Sequence, residues 1–260
     1  MLNNNMKTYV INSINELKQF ENNGKYIVDG NLEAYCSLDI ENKNVLLVDG
    51  YLSVKSDSGY IKRYIQLDGS IETRGYIMVD GPIKVDGFIK TGRSIKVSSC
   101  IQSGQYIEVG EYIEVDGSIK AGKYIEAVDF IEAGDFIDAG EFIDAGGSIY
   151  ADEFIKTGGF IKAGRYIEAG GDILAGKNCG ITVGLSINCT GKLYCGDRIL
   201  AGTSPCHEIT DENKTITCGK FEGGIVAHGI LVETGIQEDD IKTQEAIKLL
   251  KSKGYKIIKE

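Results

Sequence analysis

The sequence predicts an all-β chain wound into a parallel β-helix, a solenoid of stacked coils, with a short capping helix at each end. Three observations carry this reading. Isoleucine falls at every sixth position from Ile65 to Ile173, nineteen times without a break. The residues between repeat as [Tyr/Phe/Ser]-Ile-[Glu/Lys/Asp]-[Ala/Val]-[Gly/Asp]-x, as in Tyr124-Ile-Glu-Ala and Phe142-Ile-Asp-Ala-Gly-Gly. Glycine is abundant and proline scarce, thirty-four against two, which suits many tight corners between uninterrupted strands.

A period of six draws no stripe on an α-helix, because residues six apart drift around the cylinder. On a strand, Ile and the Ala or Val two residues later share one face. The residue before Ile and the Glu or Lys after it share the other. Gly or Asp with one variable residue then turns the chain. Each hexad is therefore a four-residue strand and a two-residue corner. One such unit cannot bury its apolar face alone, but stacked units can. Each buried Ile contributes about 1.5–3 kcal/mol.

In chain order, Ser13-Ile-Asn-Glu16 reads as a capping box. A short helix follows with Ile14, Leu17 and Phe20 on one side, ending near Asn23-Gly24. From Tyr26 the hexad is present but unevenly spaced, as in Asn31-Leu-Glu-Ala and Leu46-Leu-Val-Asp-Gly. After Ile173 the period slips by two residues and resumes at Ile181, Ile187, Leu193 and Ile199. Residues 203–215 break it and read as a loop. Thr243 to Ser252 reads as a helix with Ala246, Ile247 and Leu250 inward, followed by a strand from Tyr255. The expected organisation is an N-terminal capping helix in 1–25, a β-helix over 26–237 with regular hexads at 65–173, and a C-terminal capping helix and strand in 238–260. Solenoids need such caps for solubility.

Over about two-thirds of the chain, from Tyr26 to Gly202, this pattern resembles the bactofilins, three-sided β-helices that polymerise end to end. It is also similar to the hexapeptide acyltransferases, although the large and small inward residues are swapped relative to their repeat. The Tyr-Ile-Glu-Ala-Gly wording is closest to uncharacterised repeat proteins of low-GC bacteria and their phages. The resemblance implies that three hexads close one triangular coil of about eighteen residues.

Composition narrows the function. The net charge is −10 and the pI about 4.9, which argues against direct binding of nucleic acid or an anionic membrane. No apolar run approaches the roughly 20 residues of a membrane span. Seven scattered cysteines and a polar start predict reduced thiols and a cytoplasmic setting, in a bacterium or a phage-infected host cell. The regular hexads contain no histidine, whereas the similar acyltransferases use one for catalysis. Acidic residues are plentiful, but no local motif sets a pair apart as in glycoside hydrolysis. Cys189, Cys195, Cys206, His207 and Cys218 match no zinc spacing; Cys189, Cys195 and Cys218 fall at the inward Ala position and read as small core residues. No glycine-rich stretch ends in the Gly-Lys-Ser/Thr of a phosphate loop. No catalytic residue, metal site or cofactor is expected.

Two surface features stand out. Between Gly104 and Glu153 there are thirteen carboxylates against Lys120 and Lys123, a net charge of −11. The belt is assigned to Glu108, Glu111, Glu114, Glu126, Asp129, Glu132, Asp135, Asp138, Glu141 and Asp144. At eighteen residues per coil, Glu108, Glu126 and Asp144 stack, as do Glu114 with Glu132 and Glu111 with Asp129. Like charges at about 4.8 Å cost roughly 1 kcal/mol each even in water. Reversing Glu108, Glu126 and Asp144 is therefore expected to leave the fold intact or firmer. The second feature is aromatic: Phe88, Tyr106, Tyr124, Phe142 and Phe160 precede Ile on one side in five successive coils, a stripe expected to form a lateral homodimer interface.

The expected function is that of a non-enzymatic rod that binds a protein partner. It would be an inhibitor or nucleic-acid-mimicking decoy of a bacterial nucleic-acid-binding enzyme, of the kind a phage anti-defence or anti-CRISPR protein would be. Pentapeptide-repeat helices mimic DNA in this way. The alternatives are a bactofilin-like self-assembling scaffold and a carbohydrate-active β-helix enzyme.

Overall fold

The computed structural model describes residues 6–41, 45–56 and 63–235. Each regular hexad is a strand of the form Ile-x-Ala/Val followed by a corner, as in Ile107–Val109, Ile113–Val115 and Ile119–Ala121. The strand is one residue shorter than expected, because the residue before Ile already belongs to the corner. Consecutive hexad strands do not pair. Each pairs in parallel with the strand three hexads on, Ile77 opposite Ile95 and Ile107 opposite Ile125. Three sides and eighteen residues per coil follow from that register. The chain is a β-solenoid.

Among the described residues the first face holds twelve strands, from Thr8–Ile11 through Ile113–Val115 and Ile131–Ala133 to Ile230–Glu233. The second face runs from Lys25–Val28 through Ile107–Val109 to Ile181–Val183, and the third from Leu38–Ile40 through Ile119–Ala121 to Ile173–Leu174. The second and third faces join near the C-terminal end. There two long strands, Lys192–Leu200 and Lys220–His228, pass around the corner from one face to the next. The core is one column: all nineteen repeat isoleucines are at most 1% exposed.

Glycine stands at the corners for a reason other than turn conformation. No glycine between Gly69 and Gly191 has a left-handed φ. Instead, each coil rests on the carbonyl of the one before it. A Cβ on Gly158 would lie 2.2 Å from the Gly140 carbonyl oxygen, and one on Gly146 would lie 2.0 Å from that of Val128.

The N-terminal end departs from expectation in two ways. The solenoid begins at Thr8, not Tyr26, because Thr8–Ile11 pairs in register with Asn31–Ala34. The helix is only Ile14–Leu17 plus a 3-10 turn, Lys18–Phe20. Asn23 and Gly24, both at positive φ, turn a two-residue hairpin that pairs Glu21 with Tyr26 instead of ending the helix. The capping box does not form: Glu16 accepts from the Asn12 N–H at 3.2 Å, one residue before the N-cap, and from the Ser13 hydroxyl at 3.1 Å, so Ser13 caps no backbone donor. Leu17 is fully buried against the core, so this segment covers the end as a cap should. Residues 203–214 form a loop ending in a short 3-10 turn, Glu212–Lys214, and Thr215 already opens the strand Thr215–Cys218. The predicted C-terminal helix and strand lie outside the described residues.

Candidate functional site

The acidic residues reach the surface by strand alternation. The residue after Ile points out, and the parallel register stacks it on its counterpart eighteen residues away. On the second face Glu108, Glu126 and Asp144 form one column. On the first face Glu114 lies beside Glu132. Asp138 lies on the third face, in register between Lys120 and Lys156. Glu111 and Asp129 follow each other at one corner, Asp135 sits at the next, and Glu141 lies beside Lys123 at the last. The carboxylates therefore encircle all three faces.

The columns do not end in open repulsion. Lys90 Nζ lies 2.7 Å from Glu108, and Lys162 Nζ lies 2.8 Å from Asp144, so the second-face column reads plus, minus, minus, minus, plus. Lys96 pairs with Glu114 at 2.5 Å and Arg93 with Glu111 at 3.1 Å. These cations come from the flanking coils, eighteen residues away. Hydrogen bonds donated to Glu108 and Glu114 raise the pKa of Lys90 and Lys96 above the ordinary lysine value. Glu126, Asp129 and Glu132 are exposed and make no ion pair or side-chain hydrogen bond among the described residues. Asp135 accepts only from Ser118, at 3.2 Å.

This arrangement corrects one expectation. A lysine at 108 would face Lys90, and a lysine at 144 would face Lys162. Reversing all three sites makes five successive cations and loses both terminal attractions, whereas reversing Glu126 alone, held between two carboxylates, turns two repulsions into attractions.

The aromatic column shares the second face with Glu108, Glu126 and Asp144. Phe88, Tyr106, Tyr124, Phe142 and Phe160 stack in sequence with ring centroids 4.7–4.9 Å apart and nearly parallel planes. Four are half-buried against one another, and Phe160, at the end, is 38% exposed. Burial, then the charges of Glu108, Tyr106 and Glu126, raise the pKa of Tyr124. Stacking is not special to this face, since Tyr112–Phe130 and Phe136–Phe154 stack equally well on the other two.

The remaining candidates are dispersed. His207 Nδ1 lies 2.9 Å from Ser204 Oγ in the exposed loop, and His228 Nδ1 bonds to the Ala201 carbonyl. Cys189, Cys195 and Cys218 are buried at the inward position, as the spacing predicts. Burial pushes the Cys189 thiol up to about 12. Among the described residues, no group of three or more His, Cys, Asp or Glu could hold a metal ion, and no helix is long and apolar enough to cross a membrane. The coils flanking the belt read as mildly basic in the sequence, through Lys90, Arg93, Lys96 and Lys162; their pairing with the column ends was missed, although it follows from the same spacing of eighteen that stacks the acids. No protein family, curated protein or solved structure matches the chain.

Proposed function

We propose that the chain is a non-enzymatic rod whose acidic girdle occupies the basic groove of a nucleic-acid-binding protein. Charge density is the observation that carries this. Residues 104–153 span about 2.8 coils, or about 13 Å of axis at roughly 4.8 Å per strand spacing. Their net charge of −11 gives one negative charge per about 1.2 Å, against about 1.7 Å for duplex DNA. Counting the four ion pairs to Lys90, Arg93, Lys96 and Lys162 as neutral leaves one per about 1.9 Å, still close to the duplex. Regular carboxylates on a stiff rod offer a basic groove a preorganised partner.

The test is capture of nucleic-acid-binding proteins on the immobilised chain, with elution by duplex DNA. Neutralising Glu126, Asp129 and Glu132 to Gln, Asn and Gln removes unpaired charge and leaves the ion pairs standing. Loss of DNA-displaceable capture is expected. Capture that survives neutralisation, or that DNA does not displace, refutes the decoy.

Self-assembly is the second reading. The strands Lys220–His228 and Ile230–Glu233 each pair on one side only among the described residues, and Ile230, Leu231 and Val232 are exposed. Filaments of the full chain in electron micrographs would favour it. Lateral dimerisation along Phe88–Phe160 is a separate proposal. The stacked rings cover each other without a second copy, and such a copy would bring two Glu108–Glu126–Asp144 columns together. If the dimer exists, changing Phe88, Tyr124 and Phe142 to Ser yields monomers by light scattering.

A further inference from the structure

The first face carries its own aromatic column, and it is interrupted. Tyr112 stacks on Phe130, Ser148 follows, and the next ring position is Tyr166. The missing ring leaves an open depression lined by Phe130, Ser148, Asp129, Glu132 and Arg165. The Gly146-Gly147 corner beside it has no room for a side chain at Gly146. The same column is interrupted at Ser94, between Tyr76 and Tyr112.

The two gaps differ in chemistry. At the first, Ser94 Oγ donates to Glu111 at 2.7 Å, while Arg93 and Lys96 are held by Glu111 and Glu114. The serine, arginine, lysine and glutamate side chains there are all matched within the chain. At the second, the residue seventeen positions after Ser148 is Arg165, where Ser94 and Ser118 find Glu111 and Asp135. Ser148 is only 6% exposed, its hydroxyl makes no hydrogen bond among the described residues, and it lines the depression. Asp129 and Glu132, at the mouth, also lack partners among those residues.

We infer that the Ser148 gap is a recognition site for an arginine side chain of a partner protein. A guanidinium is flat, cationic and rich in donors. At the level of Ser148 it stands one coil, about 4.8 Å, from Phe130 and from the Tyr166 position, inside the roughly 6 Å range of cation–π attraction. Its N–H groups can donate to the Ser148 hydroxyl and to the Asp129 and Glu132 carboxylates, which outnumber the one cation in the lining, Arg165. An ammonium is not flat and has no fork to share among them. The inference deepens the decoy reading and rests on it, because it names the side chain through which a basic groove would be read.

The test compares a decaarginine with a decalysine peptide, binding each to the full chain at one low salt concentration. The expected result is an arginine preference of about tenfold that Ser148→Phe abolishes, with decalysine binding unchanged. That substitution installs the ring the repeat carries elsewhere and alters no charge. Phe130→Leu, which keeps bulk and removes the π face, is expected to weaken decaarginine binding selectively as well. If both peptides bind equally, or the preference survives both substitutions, the arginine site is wrong while the acidic decoy stands. If neither peptide binds the unaltered chain, both readings fall.

Discussion

A corner glycine in this protein is set by a neighbour eighteen residues away, not by its own φ. Gly158→Ala places a methyl against the Gly140 carbonyl and is expected to cost about 1–3 kcal/mol as the coil shifts to admit it. Ile137 is fully buried, so Ile137→Ala should cost about 2–5 kcal/mol; urea denaturation measures both. The thiols divide by burial. Cys100 and Cys206 are exposed, whereas Cys189, Cys195 and Cys218 are buried. A thiol reagent should label the first two in the folded chain and the last three only after unfolding. Cys189 also sets an alkaline limit. Above its ordinary value of 9.0 the unfolded chain gives up a proton that the folded chain keeps until about 12. Its contribution is therefore complete below pH 9 and declines as pH rises through that window. Cys189→Ala, which restores the repeat's usual residue, should flatten the decline. The need for glycine was legible in the hexad, but its cause was not. Local turn chemistry and contact with the coil below select the same residue, and only the stacked backbone separates them.

Columns are the unit of the surface, and they can be read from the sequence once the coil length is known. Lys90, Glu108, Glu126, Asp144 and Lys162 form one such column, with both ends neutralised. Exposed pairs of this kind are worth about 0.2–1 kcal/mol. Glu126→Lys should therefore raise the denaturation midpoint slightly, whereas Glu108→Lys, which trades its pair with Lys90 for one with Glu126, should leave it nearly unchanged, with the rise shrinking in high salt. Equal shifts of one sign would contradict the column. The elements hardest to read were at the N-terminal end. Thr8-Tyr-Val-Ile carries no hexad, so nothing marked it as the first strand of the first face. Asn23-Gly24 suits either a helix end or a hairpin, and the pairing of Glu21 with Tyr26 decides for the hairpin. A chain trimmed to begin at residue 26 would lose a strand of the solenoid along with its cap.

At the scale of the whole rod, the interior does not distinguish the three sides. From Ile119 to Ala151 every side presents the same Ile and Ala to the core. The exterior does distinguish them. Deleting residues 119–136, one full coil, should give a shorter rod with every outer column still aligned and a circular dichroism spectrum of the same shape. Deleting residues 119–124 keeps the core but turns everything that follows by one side. Asp144 would then leave the column of Glu108, and Phe142 would no longer stack on the rings before it. The longer deletion should therefore be the milder one, as thermal melts would show; the reverse ranking would contradict this account of the coil. Length and orientation are thus written separately in this chain. Duplicating three hexads in the gene lengthens the rod by about 4.8 Å without rotating any surface against another. A lineage can in this way change the reach of the molecule while each side keeps its identity.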